Sequence, residues 1–498
     1  MRQREFVFLV FAVVFGISEA KNYVYEHVEV LNGQRYVSRY DQPFFRVYHR
    51  PHHKNFREDP SEDVEGDPQA GTVGHPHRMI GAPPPPPSGK PRAPPKFGHH
   101  KLPKEDKRSF IPPKWPKEIA EYVHCLDIPC TCPYYDGKVV NNTCILPSGK
   151  ILGKAIRKDY RLYTAEEKKT FEGALISMKK SELWGQIGRI HKYAGVHSGP
   201  GFFPWHREFI KRLEIAFRKF YPDLGLPYWD STLDNNLPEP KDSVMFSDAL
   251  MGEADKDGYI VTGAWANFST LEGRPAFQRL LAEEPDGEFF NDARINWVLD
   301  QTELNRVMAY TLPLHTCLNY TLDDRFLEYS HDYTHYYISG DMYERFSSNN
   351  DPIFFMHHGF VDSIWELWRQ KWQTRHQREE QYPEDNPECS PPWHFKYEHM
   401  SLLKPYTNID ALSNKYTDNM FEYAPRPTCT KKDPNCHSEY LFCDLLTNEE
   451  PKCSAKVKLG GNCTGFEKIE DSCYKGTCVN GTCMASSDIK RLDKRHYM

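Results

Sequence analysis

Four stretches of this chain each place a histidine on the apolar face of a helix, and that coincidence limits the fold more than any other feature. Leu183, Trp184, Ile187, Ile190 and His191 follow a 3.6-residue period, with Ser181 in position to cap the helix start. His206 opens a second stripe with Phe209, Ile210, Leu213 and Phe217. His331 and His335 stand four residues apart, so they share one face of a third helix about one turn from each other. His358 leads Val361, Ile364, Trp365, Trp368 and Trp372 on a fourth. A lone histidine on such a face is ordinarily a hydrogen-bonded core residue. Several together are harder to bury, because each unsatisfied ring nitrogen costs about 1–3 kcal/mol. A shared metal ion removes that cost, and facing helices of a bundle are a known place for inward ligands. The expected fold is therefore mainly α, a four-helix bundle with long loops around a histidine-lined metal site.

The spacing leaves the metal open. Imidazole suits zinc, copper, iron and nickel. Carboxylate-bridged iron sites need Glu-x-x-His on two separate helices, and here Glu328-Tyr329-Ser330-His331 stands alone. A histidine-only site follows; copper and zinc are not distinguished.

Around this core the composition changes three times. Residues 1–20 read as a secretory signal, with Arg2 and Arg4 ahead of an apolar run from Phe6 to Ile17 and Ser18-Glu19-Ala20 as a cleavage site. A membrane anchor is the rival, but the run falls short of the ~20 apolar residues a bilayer requires. Residues 21–115 are rich in proline, histidine and charge. They are expected to be extended or disordered, since they cannot bury enough apolar surface to offset chain entropy. Their histidine pairs (His52-His53, His99-His100) bind metal weakly or simply belong to a solvated linker. Fourteen cysteines follow, four of them between Cys125 and Cys144 and eight between Cys429 and Cys483. An even count in an exported chain implies disulfides; zinc is the alternative. The expected divisions are a cysteine-stapled region at 116–150, a helical domain at 151–427 and a disulfide-rich module at 428–498. Eight cysteines allow about a hundred pairings, so none is assigned. Sequons at Asn141, Asn267, Asn319, Asn462 and Asn480 suit a glycosylated surface. The net charge of −6 is well mixed, with neither a basic stripe nor a cationic amphipathic helix. Nucleic acid and membrane surfaces are not expected partners.

Two longer motifs are more specific. His197-Ser198-Gly199-Pro200-Gly201-Phe202-Phe203-Pro204-Trp205-His206-Arg207 resembles the first copper signature of tyrosinases, and Asp351-Pro352-Ile353-Phe354-Phe355-Met356-His357-His358-Gly359-Phe360-Val361-Asp362 resembles the second. His331-x-x-x-His335 and Ser339-Gly340-Asp341-Met342 fall between them in the family's order. Phe421-Glu422-Tyr423 is similar to the aromatic-x-tyrosine motif that closes the family's core near an arginine such as Arg157. The cysteine-rich tail looks like those of secreted invertebrate tyrosinase-like proteins, molluscan shell proteins among them.

This resemblance to the type-3 copper proteins implies two copper ions and dioxygen as co-substrate. His191, His197 and His206 would hold one copper, and His331, His335 and His358 the other, with His357 behind them rather than among the ligands. The implied activity is a secreted phenol oxidase. It would convert o-diphenols, and by extension monophenols, to o-quinones for pigment or protein cross-linking. Its substrates would be small phenols or the tyrosine and dopa side chains of proteins, with extracellular matrix proteins as partners. A structural matrix protein with a silent site and an oxygen carrier are the alternatives. The chain departs from the family at Gly195, where many relatives have a cysteine tied to a ligand, in the short His191–His197 loop, and at Asp332, often asparagine in enzymes that hydroxylate monophenols. Glu328 and Asp332 would orient a water that deprotonates the phenol, or would instead accept bonds from ligand imidazoles.

Overall fold

The computed structural model describes residues 113–469 and 471–489, and the backbone of two strands between residues 23 and 42. The expected signal segment at 1–20 lies outside the described residues, as does most of the proline-rich stretch. The chain divides between residues 111 and 112. On the N-terminal side, Tyr23–Leu31 pairs antiparallel with Gln34–Gln42, Leu31 opposite Gln34. Composition averaged over the whole stretch hid this pair. Locally the sequence is rich in valine and tyrosine on both sides of Asn32-Gly33, the dipeptide favoured between paired strands.

In the larger unit, helix α1 (Ala165–Lys180) starts from a capping box in which Thr164 accepts from the Glu167 amide and the Glu167 carboxylate accepts from the Thr164 amide. It buries Phe171, Ala174, Leu175 and Met178, the i, i+3, i+4, i+7 stripe of an amphipathic helix. Helix α2 (Leu183–Ala194) follows at once. Its N-cap is Glu182 in the left-handed region (φ 62°), not Ser181, which ends α1 by donating back to Met178 O. The hydroxyl is thus spent on the preceding helix, a competition that residue type alone does not reveal.

Helix α3 (Phe202–Arg218) departs most from a one-sided stripe, because all 17 of its residues are buried. Its charged side chains are tolerated because they meet partners: Arg207 with Asp362 and Glu366, and Arg212 and Lys211 with Glu208. Helix α4 spans Leu327–Ile338 and helix α5 Ile353–Trp372, the latter packed along α3. Ala155–Arg157 pairs in parallel with Phe421–Tyr423, Arg157 opposite Tyr423, which joins the two ends of the helical region. Arg157 donates to the Tyr423 hydroxyl at 2.8 Å and stacks 3.5 Å over Phe421.

All fourteen cysteines are paired, so none is a free thiolate for zinc. Cys125–Cys130 and Cys132–Cys144 staple the N-terminal edge, and Cys317–Cys389 joins two loops 72 residues apart. The C-terminal eight pair as Cys429–Cys443, Cys436–Cys453, Cys463–Cys478 and Cys473–Cys483. Their small core includes Leu233 and Leu237 of the loop beyond α3. Four of the sequon asparagines (Asn141, Asn267, Asn319 and Asn480) are exposed, and Asn462 is half-buried. Among the described residues no helix is long and apolar enough to cross a membrane.

Candidate metal centre

Six histidines separated by up to 167 positions in sequence gather as two adjoining triads. His191 of α2, His197 and His206 of α3 bring ring nitrogens within 4.8 Å of one another, and so do His331 and His335 of α4 with His358 of α5. The triads touch through His206 and His358, whose rings stack at 4.4 Å and 11°. His197 is the exception to helical placement. It sits in the loop between α2 and α3, half-buried, while the other five are buried. His357 belongs to neither triad. Its Nε2 donates to the His331 carbonyl at 3.2 Å, and its ring lies parallel to the His331 ring at 5.0 Å.

Backbone carbonyls aim the rings. His206 Nδ1 donates to Phe202 O (2.9 Å), the carbonyl one turn earlier, and His335 Nδ1 donates to Met342 O (2.7 Å). Each bond fixes the proton on Nδ1 and leaves the Nε2 lone pair free. His331 Nδ1 donates to Asp332 Oδ1 at 3.0 Å, turning its Nε2 toward His358 Nε2 at 3.2 Å. Burial pushes every one of these imidazoles well below its ordinary pKa, His331 to about 3, so all are neutral near pH 7, the form that binds metal.

These nitrogens test the fit for a cation. His206 Nε2, His335 Nε2, His197 Nδ1, His358 Nδ1 and both nitrogens of His191 are buried without a hydrogen-bond partner. Each costs about 1–3 kcal/mol, and an ion on each triad would relieve one nitrogen of every ring it binds. The 3.2 Å between His331 and His358 matches the separation of about 3.3 Å expected for two imidazoles at about 2.0 Å from one tetrahedral ion. An all-imidazole set of three for each ion suits copper or zinc. The residues fit.

Close packing also explains the glycine in the short connection after His191. A Cβ at Gly195 would stand 2.8 Å from His191 Cδ2 and 2.9 Å from its Nε2, so any side chain there displaces the ring. Phe354 and Phe202 wall the centre, Phe354 at 4.2 Å from the His358 ring and Phe202 at 4.5 Å from His206.

Glu328 and Asp332 both lie beside the triads, and both carboxylates already have protein partners. Glu328 accepts from the Ser198 amide, next to His197, and from Thr311 Oγ1 at 3.0 Å. Asp332 accepts from His331. Burial pushes both carboxyls well up, Glu328 further through the neighbouring Asp332, and a dication beside them would oppose that shift. Two contributors escaped the sequence reading. The Met342 carbonyl that orients His335 has no side-chain signal, and buried His394, which accepts the Gly201 amide at 3.1 Å, belongs to no stripe or motif.

A helical core in which two three-histidine clusters stand ring to ring defines the class: proteins with a paired trihistidine centre. Residues 176–371 match the common central domain of tyrosinase. A tyrosinase-like protein of Caenorhabditis elegans is 42% identical over 367 residues, 73% of this chain and 52% of that protein. Tyrosinase-like protein 1 of Margaritifera margaritifera is 28% identical over 306 residues, 58% of this chain and 57% of the other. Tyrosinase of Streptomyces antibioticus is 26% identical over 247 residues, 44% of this chain and 84% of the other. The chain spans about half the length of its nematode relative. Its central region belongs to the tyrosinase family.

Proposed function

We propose that this chain is a secreted, copper-dependent phenol oxidase that uses dioxygen to convert o-diphenols, and monophenols more slowly, to o-quinones. The observation that carries this reading is the set of buried, neutral, partnerless ring nitrogens on two touching triads. In it, the four histidine-bearing helices act as one bundle. His191, His197 and His206 hold one copper, and His331, His335 and His358 the second. Bound there, the pair of coppers supplies the redox chemistry that reduces dioxygen and oxidises the phenol.

The chain's own groups do the rest. Phenol enters beside His197, the one ring of the six that is not fully buried. Phe202 and Phe354 offer aromatic faces and exclude water. Asp332 keeps the His331 proton on Nδ1. Glu328 ties the His197 loop to α4, and a water held by the two carboxylates relays the proton of the phenol hydroxyl to one of them. The products, reactive toward amines and thiols, cross-link proteins or form pigment in an extracellular matrix.

The test is direct. Purified protein is loaded with copper, and oxygen uptake is followed with catechol and with tyrosine. Two coppers per chain and rapid uptake with catechol are expected. Bound metal without uptake would favour a matrix protein with a silent site, and reversible oxygen binding without turnover would favour a carrier.

A further inference from the structure

The loop from His197 to Gly201 carries one ring of the first triad and leads directly into the helix that carries another. Gly201 is the N-cap of α3 but has no side chain to cap it. Its amide is taken instead by the Nδ1 of His394, nearly two hundred residues downstream, at 3.1 Å. His394 is 3% exposed and sits at the end of a single turn, Pro392–His394. The same ring lies within hydrogen-bonding range of the His197 backbone, and a Cβ on Gly199 would come within 3.0 Å of its Cε1 and Nδ1. The loop is thus moulded onto the imidazole face.

The turn that carries His394 is itself held. Its carbonyl accepts from the Tyr382 hydroxyl at 2.7 Å, and the Trp393 carbonyl accepts from Asn408 Nδ2 at 2.9 Å. Five residues earlier, Cys389 is tied to Cys317, and the Cys389 carbonyl accepts from the Leu314 amide. On its other side the loop is gripped by Glu328 through the Ser198 amide. Two buried acceptors from distant segments therefore fix five residues that would otherwise be a free connection.

We propose that His394 is a positioning residue of the first triad: by accepting the Gly201 amide and shaping residues 197–201, it holds the His197 ring in reach of His191 and His206. This rests on the reading of that triad as a copper site, although the effect on the loop does not require copper. The side chain touches neither substrate nor ion, and packing alone is a different role with different consequences.

The experiment compares the full chain with His394→Leu, which removes the acceptor while filling much of the space, and His394→Asn, whose Oδ1 can replace Nδ1. In metal-free protein, hydrogen exchange is followed by mass spectrometry over residues 197–202. His394→Leu should exchange there at least about tenfold faster, and His394→Asn should stay near wild type. Equilibrium dialysis with copper(II) alone is then expected to show a loss of about 10–100-fold in affinity for one of two coppers in His394→Leu, with the other unchanged. His394→Asn should bind both. Unchanged exchange and two tight coppers in His394→Leu would overturn the proposal, as would equal weakening of both coppers. If His394→Leu does not fold, His394→Asn decides: wild-type exchange and two coppers sustain the role, and loss of the first copper refutes it. Wild-type protein that binds no copper would refute the copper reading alone, since the exchange measurement still tests the loop.

Discussion

Two buried polar regions share helices α3 and α5, and they are satisfied in opposite ways. Around Arg157, Arg207 and Arg369 the chain completes its own ion pairs. Arg157 is bonded to Glu214 and Tyr423, Tyr423 donates to Asp362 at 2.6 Å, and Arg207 bridges Asp362 (2.7 Å) and Glu366 (2.8 Å), which also holds Arg369. Of this network only Arg207 Nη1 is left without a partner. One residue earlier on α3, His206 faces a cluster in which six ring nitrogens have none. The ionic network is closed by protein and belongs to the scaffold. The histidine cluster is closed by protein on three rings only, through carbonyls at His206 and His335 and a carboxylate at His331, and the Nε2 atoms of His206 and His335 are left open, which is how a fold prepares a place for something it does not itself contain. Breaking one region should cost stability; breaking the other should cost chemistry.

The sharpest way to break that contrast is His358→Ala, which removes the ring that joins the triads. Catechol oxidation is expected to fall to background and bound copper from two to one per chain. Metal-free protein should melt only modestly below wild type in calorimetry, because His358 Nδ1 had no partner and what is lost is the ring's packing and its contact with His331. Normal catechol oxidation in this variant would sink the ligand assignment. Asp362→Ala should do the reverse. It strands Arg207 beside a hole and takes an acceptor from Tyr423, and breaking a buried pair from one side costs about 3–5 kcal/mol. Denaturant unfolding should show that loss, while the molecules still folded bind two coppers. A loss below about 1 kcal/mol would mean that water enters and the network is not closed.

Acid separates the regions without mutation. The centre's histidines have folded pKa values pushed down by burial, from an ordinary value near 6.5 to about 3 for His331. Between those values the unfolded chain binds protons that the folded chain refuses, so metal-free protein loses stability as pH falls below about 6.5, on the order of 1.4 kcal/mol per unit for each such ring. Glu366 is pushed up by burial but pulled further down by Arg207 and Arg369, to a net position below the usual glutamate value. Its contribution is intact above that value and fades only at lower pH. Acid unfolding of metal-free protein should therefore begin near pH 6, and copper should shift it down. A midpoint near pH 4 without copper would contradict the burial of neutral rings.

The sequence made these two regions legible to different degrees. Five of the six clustered rings lie on helical stripes whose period was visible, because burial of one helix face is written in residue spacing. His197 was placed by resemblance, since a loop has no period, and its neighbours Glu328 and His394 reach it from far along the chain. The arginine network was illegible. Arg207, Lys211 and Arg212 look like the solvated face of an amphipathic helix, and only the arrival of Asp362, Glu366 and Glu208 makes their burial tolerable. Ser181 failed as a cap for a similar reason, because two helices compete for one hydroxyl.

The smallest expected effect concerns Asp332, where the two modes meet: a carboxylate that closes a protein hydrogen bond at the edge of the open centre. In Asp332→Asn the amide Oδ1 can still accept from His331 Nδ1, so two coppers should remain bound and His331 should keep its orientation. What disappears is a negative charge beside the path of the phenol. Monophenols react as phenolates formed within the site, so they feel that charge most, and the ratio of tyrosine to catechol oxidation should rise by a few-fold, equivalent to about 1 kcal/mol or less. Oxygen uptake with both substrates, measured on samples of equal copper content, gives the ratio. If it does not change, Asp332 acts only through the His331 proton, and the carboxylate belongs with the self-closed interior rather than with the reaction.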